Sequence, residues 1–292
     1  MSDDLRVVFQ SSNHAACSDR ALVLAAVQIP FEIVADAMSC ALVVPAEFSA
    51  QAMHELTQYE DENPPVAAAK PVPIVYQNAL PGLLAYALVI CAVAALVSSA
   101  SLAQDWYAAG RVDGALIRAG EWWRTVTALT LHSDLQHLLG NLGFGLFFGL
   151  FAGRLLGSGV AWLAIVVTAA SGNALNTLLL ESTHRAVGAS TAVFAALGLV
   201  AGYVWRGKLM RQDRWPYRIG PIVGGFALLM YTGTGTENTD VGAHLMGFLC
   251  GLTGGMLLAA RRNRLLNPRL QLGSGLAAIA IVVGAWLAAL QS

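Results

Sequence analysis

The chain has 292 residues, 56% of them apolar and 12% charged, with a formal net charge of -1, against roughly 45–50% apolar and about 25% charged in an average soluble protein. That surplus of apolar residues points to the bilayer as solvent, and the lack of a basic cluster excludes nucleic acid as a partner. Ten of the eighteen acids fall in the first 75 residues, so the chain divides into a soluble head and a membrane body.

In the head, alternating apolar residues from Leu5 to Gln10 predict a strand. A helical pattern follows at Cys17 to Gln28, then strands near Phe31 to Ala35 and Cys40 to Val44, and a helix from Ala46 to Glu60. This βαββα order is that of a small α/β sandwich, with the domain set at residues 1–62. The stretch from Asp61 to Pro73 carries four prolines and reads as a tether. The Pro-rich linker is placed at residues 63–78. The start of the chain has no basic stretch, apolar run and small-residue cleavage site in series. The head is therefore expected in the cytoplasm, and Cys17, Cys40, Cys91 and Cys250, which lack metal-type spacing, are expected to be reduced thiols.

A spanning helix needs about 20 mostly apolar residues. Candidates run from Leu80 to Ala100, His137 to Gly153, Val160 to Leu180, Ala189 to Trp205, Ile219 to Tyr231, Val241 to Ala260 and Gly273 to Leu290. The fifth is short, but the charges require it. With the head inside, Lys70, Arg154, the Arg206 to Arg218 group and the Arg261 to Arg269 group fall in the cytoplasm, and only Arg111, Arg118, Arg124 and Arg185 fall outside. This split of eleven to four obeys the positive-inside rule. The expected class is thus mainly α: a polytopic helical bundle with a six-helix core at residues 79–262, a seventh helix at 263–292, and the α/β head. Between the first two spans, Ser101 to Leu135 mixes Trp106, Trp122 and Trp123 with polar residues, as an element lying in the outer leaflet would. The Gly- and Thr-rich loop from Thr232 to Gly242 is expected to be mobile and to serve as a lid.

The second, fourth and sixth spans run in the same direction, so their first turns share one depth. Those turns carry His137 and Asn141, Ser190, and His244. Polar groups within spans are costly and normally turn to a cavity with a function. Gly198 and Gly202 follow Ser190, and Gly247, Gly251 and Gly255 follow His244, at the four-residue spacing that lets helices approach closely in lipid. Packing of these parallel helices brings Ser190 level with His244, as a nucleophile and its base require. Asn141, His137 and the Ser190 backbone N–H stand at the level of an oxyanion. Asp134 and Asp240 lie near these motifs but outside the helix pattern, so a dyad is expected rather than a triad. His132 and His137 are five apart without a third ligand, which makes a metal site a poor reading. His14, His54 and His184 are assigned no role. Taken singly, Ser190 could be a back-bonded packing residue and His244 a buried satisfied histidine; only their combination points to catalysis.

Trp123-Arg124, His132 and His137-x-x-x-Asn141 together resemble the first loop and second helix of the rhomboid family of intramembrane serine proteases. Gly188-Ala189-Ser190 is similar to the family's nucleophile motif, and Ala243-His244-x-x-Gly247-x-x-x-Gly251 to its sixth-helix histidine motif. The resemblance covers Glu121 to Gly255. It implies an intramembrane serine endopeptidase with Ser190 as nucleophile, His244 as base, His137 and Asn141 as oxyanion stabilisers, a structural Trp123-Arg124 pair, and neither metal nor cofactor. It also implies transmembrane protein segments as substrates, membrane lipid as surroundings, and a bacterial inner-membrane location with the site near the outer face. Thr191 departs from the usual glycine, adding a side chain beside the oxyanion site, and Phe194 stands where a tyrosine often stacks on the histidine. The alternatives are a catalytically inactive relative that binds transmembrane clients, and a transporter, which would need polar residues through the full membrane depth. The head resembles small prokaryotic signal-transducing domains through Val7 to Phe9, Ala16, Ile29 to Phe31 and Val43 to Glu47, which implies a cytoplasmic partner for it.

Overall fold

The computed structural model describes residues 4–36, 38–63, 75–99, 105–179, 184–209, 215–233 and 240–292. It divides into two compact units, residues 1–69 and 70–292.

In the first unit, β1 (Leu5–Ser11) and β2 (Glu32–Ala35) flank the central β3 (Cys40–Pro45), all antiparallel. The pairing sets Val7 against Val43 and Ile33 against Leu42, with a bulge in β1 between Val7 and Phe9. Helices α1 (His14–Ala26) and α2 (Ser49–Glu62) cover one face of the sheet, burying Leu24, Leu42, Val44, Ala52 and Leu56. Asn13 caps α1 by accepting from Ala15 N at 3.1 Å. Arg20 ties the two helices through Glu60 at 2.7 Å while lying over the Phe9 ring. Two of the four expected thiols are not thiols, because Cys17 and Cys40 form a disulfide. Cys17 is on the buried face of α1 and Cys40 opens β3, and the fold brings their Cα atoms to 6.5 Å. That is bridging distance, and their 23-residue separation gave no sign of it. Cys91 and Cys250 are free.

The second unit is a helical bundle. Five of its helices are long and apolar enough to cross a membrane: α3 (Leu80–Ser98), α7 (Leu135–Leu156), α8 (Ser158–Leu179), α11 (Val241–Ala259) and α12 (Pro268–Ala289). Two more are apolar over a shorter stretch: α9 (Ser190–Arg206), and the segment Ile219–Tyr231 within α10 (Trp215–Gly233). Between α3 and α7 the chain makes short helices α4 (Trp106–Gly110), α5 (Gly114–Arg118) and α6 (Arg124–Thr127) and a strand β4 (Val112–Asp113), which pairs with β5 (Arg185–Ala186). Of the expected linker, residues 64–74 lie outside the described residues. Residues 75–78 run onto the bundle, where Gln77 N donates to the Arg154 carbonyl at 2.8 Å and Asn78 Oδ1 accepts from Leu80 N at 3.0 Å. Of the expected lid, residues 234–239 lie outside the described residues, and its ends belong to helices: α10 continues to Gly233 and α11 begins at Val241.

Helix α9 is central, with Ala195, Leu199 and Ala196 almost wholly buried. A sequence mean as apolar as its neighbours' gave no hint that it would be enclosed. It meets α11 backbone to backbone. A methyl on Gly251 would overlap the Ala195 carbonyl, one on Gly255 the Leu199 carbonyl, and from the other side one on Gly198 or Gly202 would overlap the Phe248 or Leu252 carbonyl. Gly247 is enclosed twice over, by Thr191 of α9 and by Gly172 of α8, whose own added Cβ would lie 2.8 Å from the Gly247 Cα. In lipid such close approach supplies the dispersion contacts that replace the hydrophobic effect. By contrast, Gly220 and Gly224 of α10 face open space. Gly251→Val should therefore cost at least about 1–3 kcal/mol through overpacking and lower the melting temperature in detergent by several degrees. Gly224→Ala should leave it unchanged or raise it slightly.

Candidate functional site

Three helices begin at one end of the bundle, and two begin with an aspartate cap. Asp134 Oδ1 accepts from His137 N at 2.8 Å at the start of α7, and Asp240 Oδ1 accepts from Ala243 N at 2.9 Å at the start of α11. These two acids are the helix-capping side chains of the turns that carry His137 and His244, a role their position before each apolar run could have announced. Asp240 is held in turn by Asn176 Nδ2 at 3.1 Å and His184 Nε2 at 2.8 Å, so His184, to which the sequence assigned nothing, braces the start of α11.

The third helix, α9, has no side-chain cap. Its 17 residues span about 25 Å, less than the roughly 30 Å hydrocarbon core. Arg206 and Lys208 mark its far end, so a helix of this length set with those cations at one surface does not reach the other. Backbone at such depth must be satisfied by protein. Gly188 N donates to the Ala128 carbonyl at 3.0 Å, Ala189 N to His132 Nε2 at 3.5 Å, and β5 pairs with β4, where Arg185 also meets Asp113 at 3.1 Å. Gly188 has φ +138°, and a Cβ there would lie 2.7 Å from Nε2 of His137 and 3.5 Å from Oγ of Ser190. Both the backbone angle and the close approach require glycine.

Around the half-buried Ser190, His137 lies against Gly188, with its Nδ1 3.1 Å from Ser133 Oγ. Asn141, one turn further along α7 on the same face, is 7% exposed, and its Nδ2 is a buried donor with no partner among the described residues. Its backbone carbonyl accepts from the Tyr86 hydroxyl at 2.8 Å. His244 is buried, its ring 4.5 Å from that of Phe194, one turn below Ser190. Phe194 thus packs against the histidine ring, tilted 38° to it rather than stacked. Thr191 is 3% exposed and spends its side chain in the helix seam, where its Cγ2 would lie 2.9 Å from a Cβ on Gly247. The extra side chain is absorbed by the seam.

Behind these residues stands a buried polar scaffold. Arg124, 4% exposed, bonds Glu121 at 2.7 Å and the Ala108 carbonyl at 2.7 Å, fixing the loop between α3 and α7. Asn173 Nδ2 of α8 donates to the Thr125 carbonyl at 2.9 Å. His132, 8% exposed, has its pKa pushed down to about 4, first by burial and then by the neighbouring His137. It is the neutral ring whose Nε2 accepts from Ala189. A cavity of about 580 Å³ lies between α3, α8 and α12 rather than over Ser190.

The fold and this site define a polytopic membrane protein with a serine, two histidines and an asparagine assembled at one end of its helices. The sequence model described as "Rhomboid domain" matches residues 119–261. The "Putative rhomboid protease YdcA" of Bacillus subtilis (strain 168) is 32% identical over 142 residues, 48% of this chain and 67% of that protein. "Rhomboid-like protease 1" of Toxoplasma gondii is 31% identical over 151 residues, 51% of each chain, and "Rhomboid protease GluP" of Bacillus subtilis (strain 168) is 28% identical over 176 residues, 60% of this chain and 33% of that protein. The chain belongs to the rhomboid family. It spans about half the length of the Toxoplasma gondii relative and a third of GluP.

The depressed His132 pKa has a consequence for stability. Between about 6.5 and 4 the unfolded chain binds a proton at His132 that the folded chain refuses, so this contribution to stability falls as pH falls through that window. His132→Gln should show a smaller loss of melting temperature than the wild type on going from pH 7 to pH 4.5, measured by scanning fluorimetry in detergent.

Proposed function

We propose that the chain is an intramembrane serine endopeptidase that hydrolyses a peptide bond in a transmembrane segment of another protein. The observation that carries this reading is the Nδ2 of Asn141, a buried donor without a partner among the described residues, one turn along α7 from the His137 ring that lies against Gly188. A buried donor without a partner costs about 1–3 kcal/mol, and it is explained if the partner is a charge that forms only during reaction.

In this mechanism the Ser190 Oγ attacks the scissile carbonyl carbon while His244 takes the hydroxyl proton. The carbonyl oxygen becomes an oxyanion, facing Asn141 Nδ2, the His137 ring and the Ser190 N–H. The peptide C–N bond then breaks as His244 returns the proton to the leaving nitrogen, giving an acyl-enzyme. Water, deprotonated by His244, adds to the ester; its breakdown releases the new carboxyl end and restores Ser190. Substrate enters beside α10, whose Pro221 lies inside the helix and whose Gly220 and Gly224 meet no neighbour. The arginine split supports a topology with the head and the tether on the cytoplasmic side and Ser190 near the outer face. On that side the Cys17–Cys40 bridge is a bond that forms only under oxidation.

Ser190→Ala and His244→Ala should each abolish cleavage of a reporter transmembrane substrate in liposomes, and Asn141→Ala should reduce kcat by about 100- to 1000-fold. A fluorophosphonate probe should label the wild type and spare Ser190→Ala. Unchanged cleavage in both dyad variants sinks the mechanism, and a wild type that neither cleaves nor labels is the inactive client-binding relative.

A further inference from the structure

We propose that the cavity between α3, α8 and α12 binds one anionic phospholipid, with an acyl chain inside and the phosphate at the arginines around the α11–α12 turn. This site is separate from the proposed hydrolysis and does not depend on it.

The cavity, about 580 Å³, is walled almost entirely by apolar side chains of three membrane-spanning helices. It suits a flexible hydrocarbon chain. Its polar lining is concentrated at one end, where Gln77 and Asn78, the Gly157 to Gly159 turn, and Gln271 gather. Those polar groups are largely committed to the protein: Gln271 Oε1 accepts from Gly159 N at 3.0 Å and its Nε2 donates to the Leu156 and Leu265 carbonyls, each at 2.7 Å, while Ser158 Oγ donates to the Asn78 carbonyl at 2.6 Å. The mouth is therefore a rigid rim. One turn inside it, the indole Nε1 of Trp162 is a buried donor without a partner among the described residues, on a ring stacked against Tyr86.

Charge selects the headgroup. Leu266 and Pro268 line the mouth, and Arg264 and Arg269, beside them in the chain, are exposed, as is Arg154, whose carbonyl receives Gln77 N across the rim. Among the described residues from 75 onward, every acid (Asp105, Asp113, Glu121, Asp134 and Asp240) belongs to the turns and caps of the opposite end, where Ser190 lies. A basic rim over an apolar slot between spanning helices is the arrangement that takes an anionic lipid headgroup. At its inner end the cavity reaches Leu129, Thr130 and Ala192, two residues beyond Ser190, so a bound chain fills space directly behind the start of α9.

The experiment is native mass spectrometry of the purified full chain in detergent, titrated with dioleoyl phosphatidylglycerol or with dioleoyl phosphatidylcholine. One phosphatidylglycerol should be retained at least tenfold more tightly than phosphatidylcholine. Arg264→Gln and Arg269→Gln, at exposed positions of the turn, should each weaken the anionic lipid about fivefold and leave phosphatidylcholine unchanged. Ala85→Trp, which fills the slot from α3, should weaken both lipids. Equal binding of the two lipids, anionic binding indifferent to both arginines, indifference of both lipids to Ala85→Trp, or occupancy by a second copy of the chain would each overturn the proposal.

Discussion

Everything at the polar end of the bundle depends on the distance between α9 and α11. Carbonyl oxygens of Thr191, Ala195 and Leu199 stand where the side chains of Gly247, Gly251 and Gly255 would be, and carbonyls of Phe248 and Leu252 stand likewise against Gly198 and Gly202. The helices are locked in register from both sides, and no larger residue fits at these positions. That lock fixes the level of Ser190 against His244 and lets Phe194 reach the His244 ring. It also accommodates Thr191, because the threonine methyl occupies space that Gly247 leaves free. Such a seam gains from dispersion over many close atoms, which matters more in lipid than in water because apolar burial between helices there brings little hydrophobic gain.

A second constraint comes from putting polar backbone at membrane depth. Helix α9 is too short to reach both surfaces, so the chain that leads into it has to be satisfied by neighbouring protein. Ala128, His132, β4 and Asp113 supply the partners, and the loop that carries them is held by Arg124 and by Asn173 of α8. The loop between α3 and α7 thus works as the wall of the site. This is how Trp123-Arg124, on the loop before α7, is tied to the same end of the bundle as Ser190. Asn173, Asn176 and Thr177 of α8 are buried at the same end as the starts of α7, α9 and α11, whereas a transport path would need polar groups through the full depth.

The two ends of the bundle carry opposite character. Acids at one end cap helices and brace loops, each paired with a backbone N–H or a cation. Arginines at the other end, Arg154, Arg264 and Arg269 among them, are exposed. The first arrangement holds a site together, and the second leaves cations exposed.

Much of this was legible in the residues. Runs of about twenty apolar residues identify spans because a helix must cross the hydrocarbon with every backbone group paired, and the strand and helix periods of the head follow from which side chains face its core. Gly247 and Gly251 at four-residue spacing, and His137 with Asn141 one turn apart, announced close packing and a shared face. Other features came from contacts between segments far apart in the chain, which no local pattern encodes. The bridge between Cys17 and Cys40, His184 bracing Asp240, the Gly188 cradle between His137 and Ser190, Thr191 folded into the seam, and the slot that α12 makes with α3 and α8 all belong to this group. Sequence determined the elements and the chemistry available to them. Tertiary packing decided which of those groups meet, because distances between helices are set by the smallest residues on both faces at once.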